Sequence, residues 1–253
     1  MTEILSYHSD PILKSRFTAH VEAHRQQDRL VKGSYGDEVK GAKFRGCAVG
    51  CSLRSLNEID GEKTLTNDHA ALARRLGIPL QLAYLEDRIF EGLPTAEAML
   101  WPTLFARAIP VGADLSKVWP RFAHWMLSDP TAGVIRFAKT DRTRDAIRGV
   151  ANGYEKVTNG GVVTSEEWQQ LRRNAAADAA AYAAAYAAAA AYADADAAYA
   201  AAYAAAYAAA YAAYAAYAAY AAYADAAYAR QKHYKLMAEA LLRFMSEAPV
   251  RAA

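Results

Sequence analysis

Cys47 and Cys51 are the two cysteines of the chain, set four residues apart in the string Gly46-Cys47-Ala48-Val49-Gly50-Cys51-Ser52-Leu53. Upstream, His20 and His24 are also four apart, which places both on one face of a helix. C-x3-C with H-x3-H lies within the spacing range of Cys2His2 zinc sites, where thiolates and imidazoles close a tetrahedron. The expected metal set is therefore His24, Cys47, Cys51 and His69, with His20 as the alternative imidazole and a structural zinc ion as the cofactor the spacing permits. The same residues support a rival chemistry. A thiolate of Cys47 or Cys51 would be the nucleophile, His69 or His24 the base, and Glu86 or Asp87 the group orienting the imidazole. Adjacent glycines would then leave backbone N–H groups for an oxyanion. A third reading makes both cysteines small buried apolar side chains in a glycine-rich turn.

Other chemistries have less support. The basic stretch KGAKFRGCAVGCS lacks the Gly-Lys-Ser/Thr ending of a phosphate loop. Arg136, Lys139, Arg142, Arg144 and Arg148 are interleaved with Asp141 and Asp145, so they read as a solvated face. A net charge of +2 and a pI near 8.4 point to no dedicated polyanion partner, and nucleic-acid binding is not supported. Two cysteines so close together close too small a loop for a strongly stabilising disulfide, so a reduced thiol pair is expected. The first residues, MTEILSYHSDPILKSRF, show neither the basic nor the apolar region of a secretion signal, and residence in the cytoplasm is expected.

The elements that must position these groups read as helices. Asp10-Pro11 is a helix start, with Asp capping the first N–H groups and Pro at the first helical position. The apolar positions Ile12, Leu13, Phe17, Val21 and Leu30 carry that helix toward Gly33. Five glycines between residues 33 and 51 predict a loop or a set of tight turns. Further helices are predicted over 68–76, 80–91, 94–108, 114–127 and 141–153, punctuated by Pro79, Pro94, Pro110 and Gly112. Pro102 and Pro120 are expected to start or kink helices. Trp101, Trp119, Trp125 and Trp168 fit apolar helix faces and are expected in the core. No strand periodicity is evident, so the expected fold class is all-α: a compact helical domain over residues 1–155, then an Ala-rich helical region over 164–248.

That second region opens with Thr164 and Glu167, a capping box. Residues 175–229 consist only of Ala, Tyr and Asp, a low-complexity run whose Ala content favours helix. As one helix, 165–247 would be about 125 Å long, so the region is expected to fold back as a hairpin, with the weakest points at Asn174 and Asp194-Ala-Asp196, or else to project as a stalk. Most of the Tyr share one arc of a helical wheel with Asp178, Asp196 and Asp225, which leaves an Ala face for close helix packing. Residues 197–224 hold no charge, yet they also hold no Leu, Ile, Val or Phe, which disfavours a membrane span. A run without Arg or Lys is also no stacking platform for nucleic acid.

The string GCAVGCSL, with His69, LGIP (76–79), LEDRIFEGLP (85–94), WP (101–102), AIPVGADLS (108–116) and WPRFAHWML (119–127), resembles a family of uncharacterised proteins encoded by phages and prophages. The resemblance covers residues 5–155, and members tend to end in Ala-rich repeats. It implies a phage or mobile-element origin, brings no established activity, and places His24, Cys47, Cys51, His69, Glu86 and Asp87 within the matched motifs. The leading expectation is a non-catalytic accessory protein that binds a host or phage component through an unknown protein partner. The Cys/His enzyme and the zinc-stabilised binding module are the alternatives.

Overall fold

A computed structural model describes residues 4–36, 44–138, 140–176 and 224–251. Among them the fold is all-α, with isolated backbone bridges at Leu30–Gly46 and Ala113–Val250 and no strand. Contacts divide the chain into two units, Met1–Trp119 with Arg230–Ala253, and Pro120–Ala229, so the first division falls short of the boundary expected near residue 155. The break expected at Asn174 is corrected, because the helix Ser165–Ala176 runs through it; the Asp194-Ala-Asp196 step and nearly all of the Tyr arc and Ala face fall in 177–223, outside the described residues. No helix among the described residues is long and apolar enough to cross a membrane.

In the first unit, α1 (Pro11–Gln26) begins as its sequence predicts: Asp10 Oδ1 accepts from the Ile12 N–H at 2.7 Å, and Pro11 occupies the first turn. α2 (Ala48–Asp60) is a correction, because residues up to 51 were expected to be loop. Gly50 looks like a helix breaker, but its role is close approach. A Cβ there would lie 2.0 Å from the Tyr35 carbonyl oxygen, and the Cys47 N–H donates to Ser34 O at 2.6 Å. Cys47 itself is the N-cap, its sulfur accepting from the Gly50 N–H at 3.5 Å. α3 (Ala70–Leu76) stops at Gly77, where φ is +64°. Short connections lead to α4 (Leu80–Gly92) and α5 (Thr95–Ala108), each preceded by a proline.

Pro102 sits buried inside α5. The interior of this unit is built from Leu53 and Leu56 of α2, Leu72 and Leu76 of α3, Leu82, Ile89 and Phe90 of α4, and Trp101 and Phe105 of α5. Each such side chain contributes about 1.5–3 kcal/mol when removed from water. Polar atoms among them are satisfied: Trp101 Nε1 donates to Glu86 O at 2.9 Å, and the Tyr7 hydroxyl donates to Ala106 O at 2.7 Å.

α6 (Val118–Ser128) holds Pro120 in its first turn, where a missing N–H costs nothing. In the second unit, α7 (Asp141–Thr158) starts on Thr140, whose hydroxyl accepts from the Thr143 N–H at 3.0 Å. α8 (Ser165–Ala176) opens on the expected capping box, with Glu167 N donating to Thr164 Oγ1 at 3.2 Å and Thr164 N to Glu167 Oε2 at 2.6 Å. Tyr154 and Trp168 meet at 4.9 Å between α7 and α8, over Gly153, where a side chain would strike the indole. Trp101, Trp119 and Trp168 are buried and Trp125 half-buried. α9 (Ala224–Ser246) supplies the C-terminal part of the first unit from Arg230 on.

Candidate functional site

Three helices bring Cys47, Asp87 and Glu91 together and set His69 against Asp87. Cys47 caps α2, His69 directly precedes α3, and Asp87 and Glu91 stand one turn apart on α4 and so share a face. The Cys47 sulfur and one carboxylate oxygen each of Asp87 and Glu91 lie within 4.8 Å of one another. Asp87 Oδ2 accepts from the Tyr35 hydroxyl at 3.1 Å, and Glu91 accepts from the Gly33 N–H at 2.9 and 3.0 Å. His69 is buried between two rings, stacked on Tyr84 at 4.5 Å and edge-on to Tyr35 at 5.6 Å. Its Nδ1 is 3.1 Å from Asn67 O, and its Nε2 is 3.4 Å from Asp87 Oδ2 without the alignment of a hydrogen bond. Burial acts to raise the Asp87 carboxyl, but the surrounding imidazole, thiol and Tyr35 hydroxyl outweigh it and hold it below the ordinary value.

The order of these groups is thiol, carboxylate, imidazole, whereas a nucleophilic triad runs thiol, imidazole, carboxylate. Burial, reinforced by the Asp87 charge, pushes the Cys47 thiol well above its usual range, so the thiolate is disfavoured. Cys51 is raised by burial to about 12, and its thiol faces the carbonyls of Gly46 at 3.5 Å and Arg29 at 3.7 Å. The glycine N–H groups expected to serve an oxyanion are already engaged: Gly46 N donates to Arg29 O at 2.9 Å and Gly50 N to the Cys47 sulfur. Glu86, adjacent in sequence to Asp87, turns into the core instead. It accepts from Ser52 Oγ at 3.0 Å, and burial raises its carboxyl to about 8.

His24 belongs to a different cluster. Its Nε2 is 3.3 Å from Arg29 Nη1 and 3.7 Å from Glu58 Oε2; His20 Nδ1 is 3.5 Å from the same carboxylate, and Arg54 Nε donates to Oε1 at 2.9 Å. Because a guanidinium only donates, His24 Nε2 accepts and the ring is neutral. At an effective dielectric of 20, repulsion from Arg29 and attraction to Glu58 are each about 5 kcal/mol for a protonated ring and nearly cancel. Burial therefore decides, with Arg29 second, and lowers His24 to about 4.

The sequence-derived ligand set is thus divided. Cys47 and His69 meet Asp87, Cys51 faces backbone carbonyls, and His24 and His20 surround Glu58. Spacing alone did not single out Glu91, Tyr35, Glu58 or Arg29. Asp87 and Glu91 at i,i+4 were a readable signal for one face of α4; the contact of that face with Cys47 was not. No protein-family model, no curated protein and no solved structure matches the chain.

Proposed function

We propose that the protein is a non-catalytic binding module, an accessory protein of a phage or mobile element that acts in the host cytoplasm by engaging a host or phage protein. The observation that carries this reading is the state of the two thiols. Each is buried and raised, Cys47 against a carboxylate and Cys51 against carbonyls, and neither is set up to attack a substrate. The phage-like motifs of residues 5–155 support the origin. Timed iodoacetamide labelling of the native protein, mapped by mass spectrometry, tests the reading. Both cysteines are expected to react far more slowly than a model thiol and to become reactive on unfolding, while the immobilised chain retains a stoichiometric host or phage protein. Labelling of Cys47 or Cys51 faster than the model thiol would overturn this reading in favour of a cysteine enzyme.

A further inference from the structure

We propose that Cys47, His69, Asp87 and Glu91 form a binding site for one divalent d-block cation, zinc by preference. The site differs from the set expected from spacing, since it excludes Cys51 and both α1 histidines, and it does not rest on the binding-module reading.

The convergence of donors is the first support. In a tetrahedral site with bonds of about 2.0–2.3 Å, neighbouring ligand atoms stand about 3.3–3.8 Å apart. Sulfur and carboxylate oxygens already within 4.8 Å of one another need movements on the order of an ångström to close on an ion. His69 Nε2 stands outside that mutual set but 3.4 Å from Asp87 Oδ2, so the imidazole has to move further toward the sulfur and Glu91 to complete the site.

The second support is independent of the cluster. A carbonyl can only accept, so the contact with Asn67 O assigns the proton of a neutral His69 to Nδ1. In that tautomer Nε2 presents a lone pair toward a carboxylate from a side chain 6% exposed; protonated instead, it faces Asp87 Oδ2 as a donor and helps hold that carboxyl low. Two electron-rich atoms facing each other in a buried place require a cation between them. A metal ion supplies it; a proton is the competitor.

The surroundings match how metal ligands are held. A ligating imidazole commonly donates its other N–H to a backbone carbonyl, and ligating carboxylates are themselves hydrogen-bonded. Here Asn67 O holds His69, the Tyr35 hydroxyl holds Asp87, and the Gly33 N–H holds Glu91. One sulfur, one nitrogen and two oxygens suit zinc; calcium and magnesium take oxygen ligands, and copper(I) prefers an all-soft set. Binding converts the Cys47 thiol to thiolate, and its proton leaves to solvent as the sulfur–metal bond forms. The half-buried carboxylates give the ion a way in beside Tyr35 and Tyr84, both partly exposed.

The test uses the full chain, stripped of metal, titrated with zinc against a chromophoric chelator and separately with cobalt(II). One equivalent is expected to bind, and cobalt should give tetrahedral visible absorption with a near-ultraviolet thiolate charge-transfer band. Cys47→Ser should remove that band and weaken zinc binding at least about a hundredfold, and Glu91→Gln at least about tenfold. Cys51→Ser should leave both readouts unchanged. Glu91 is half-buried, so if Cys47→Ser loses its helical circular dichroism the Glu91→Gln result decides. Absence of stoichiometric binding would assign a proton to the His69–Asp87 contact and overturn the proposal. A charge-transfer band that survives Cys47→Ser but disappears in Cys51→Ser would overturn it equally.

Discussion

The two histidine clusters begin from the same ingredients, an imidazole beside a carboxylate near α2, and arrive at opposite electrostatics. Around Cys47, a thiol and two carboxylates converge, and one of those carboxylates, Asp87, faces an imidazole. Around Glu58, a single carboxylate faces Arg29, Arg54, His20 and His24. The surplus sign decides what each cluster can do. In the second, guanidinium groups already neutralise the carboxylate, and an added cation would meet repulsion. In the first, the Lys32 ammonium lies within electrostatic reach of Glu91, and the carboxylates still outnumber it. A histidine near a carboxylate is therefore informative only once the charges around the pair are counted.

Removing the acidic member of the first cluster should destabilise the protein most. Asp87→Ala leaves the Tyr35 hydroxyl and the Cys47 thiol without their acceptor, and is expected to cost about 3 kcal/mol of stability in urea unfolding. A variant as stable as the parent would mean that the cluster is not a structural unit, and would break the comparison.

The second cluster is tested by pH. Burial, then Arg29, holds folded His24 at about 4, against 6.5 for the free side chain. Between those values the unfolded chain takes up a proton that the folded chain refuses, so stability falls as pH drops from 6.5 to about 4 and this contribution levels off below. The loss should be on the order of 2 kcal/mol, read as the difference between parent and His24→Gln in urea midpoints across a pH series. Parallel profiles for the two proteins would show that His24 titrates as it does in the unfolded chain.

A pH dependence of opposite sign is expected beside the first cluster. Burial raises Glu86 to about 8 from 4.5, so its contribution is complete below pH 4.5 and is lost as pH rises toward 8. Glu86→Gln keeps an acceptor for Ser52, and because the amide's own cost of burial is the same at every pH, its stability relative to the parent should rise by about 4 kcal/mol between pH 4 and pH 8. A difference between variant and parent that stays constant from pH 4 to pH 8 would show that Glu86 titrates in the folded protein as it does in the unfolded chain. Adjacent carboxyls, Glu86 and Asp87, would then no longer differ in the direction of their shifts.

The local part of the fold is legible in the residues themselves. Asp10-Pro11, the Thr164–Glu167 box and the apolar spacing of residues 80–91 and 94–108 specify helices through interactions within a turn or two, and those helices form. Where the sequence misled, at residues 48–51, a glycine that reads locally as a breaker serves a distant carbonyl, that of Tyr35. The site follows the same division. Cys47, His69 and Asp87 could be named as chemical groups from their types and motifs, but their order around the carboxylate could not. Neither could the loss of Cys51 to backbone carbonyls, nor the capture of His24 by Arg29 and Glu58. Only the tertiary structure decided these, because they depend on how α1 to α4 rotate and pack. Periodicity says that a helix has a buried face; it does not say which side chain of another helix that face will meet.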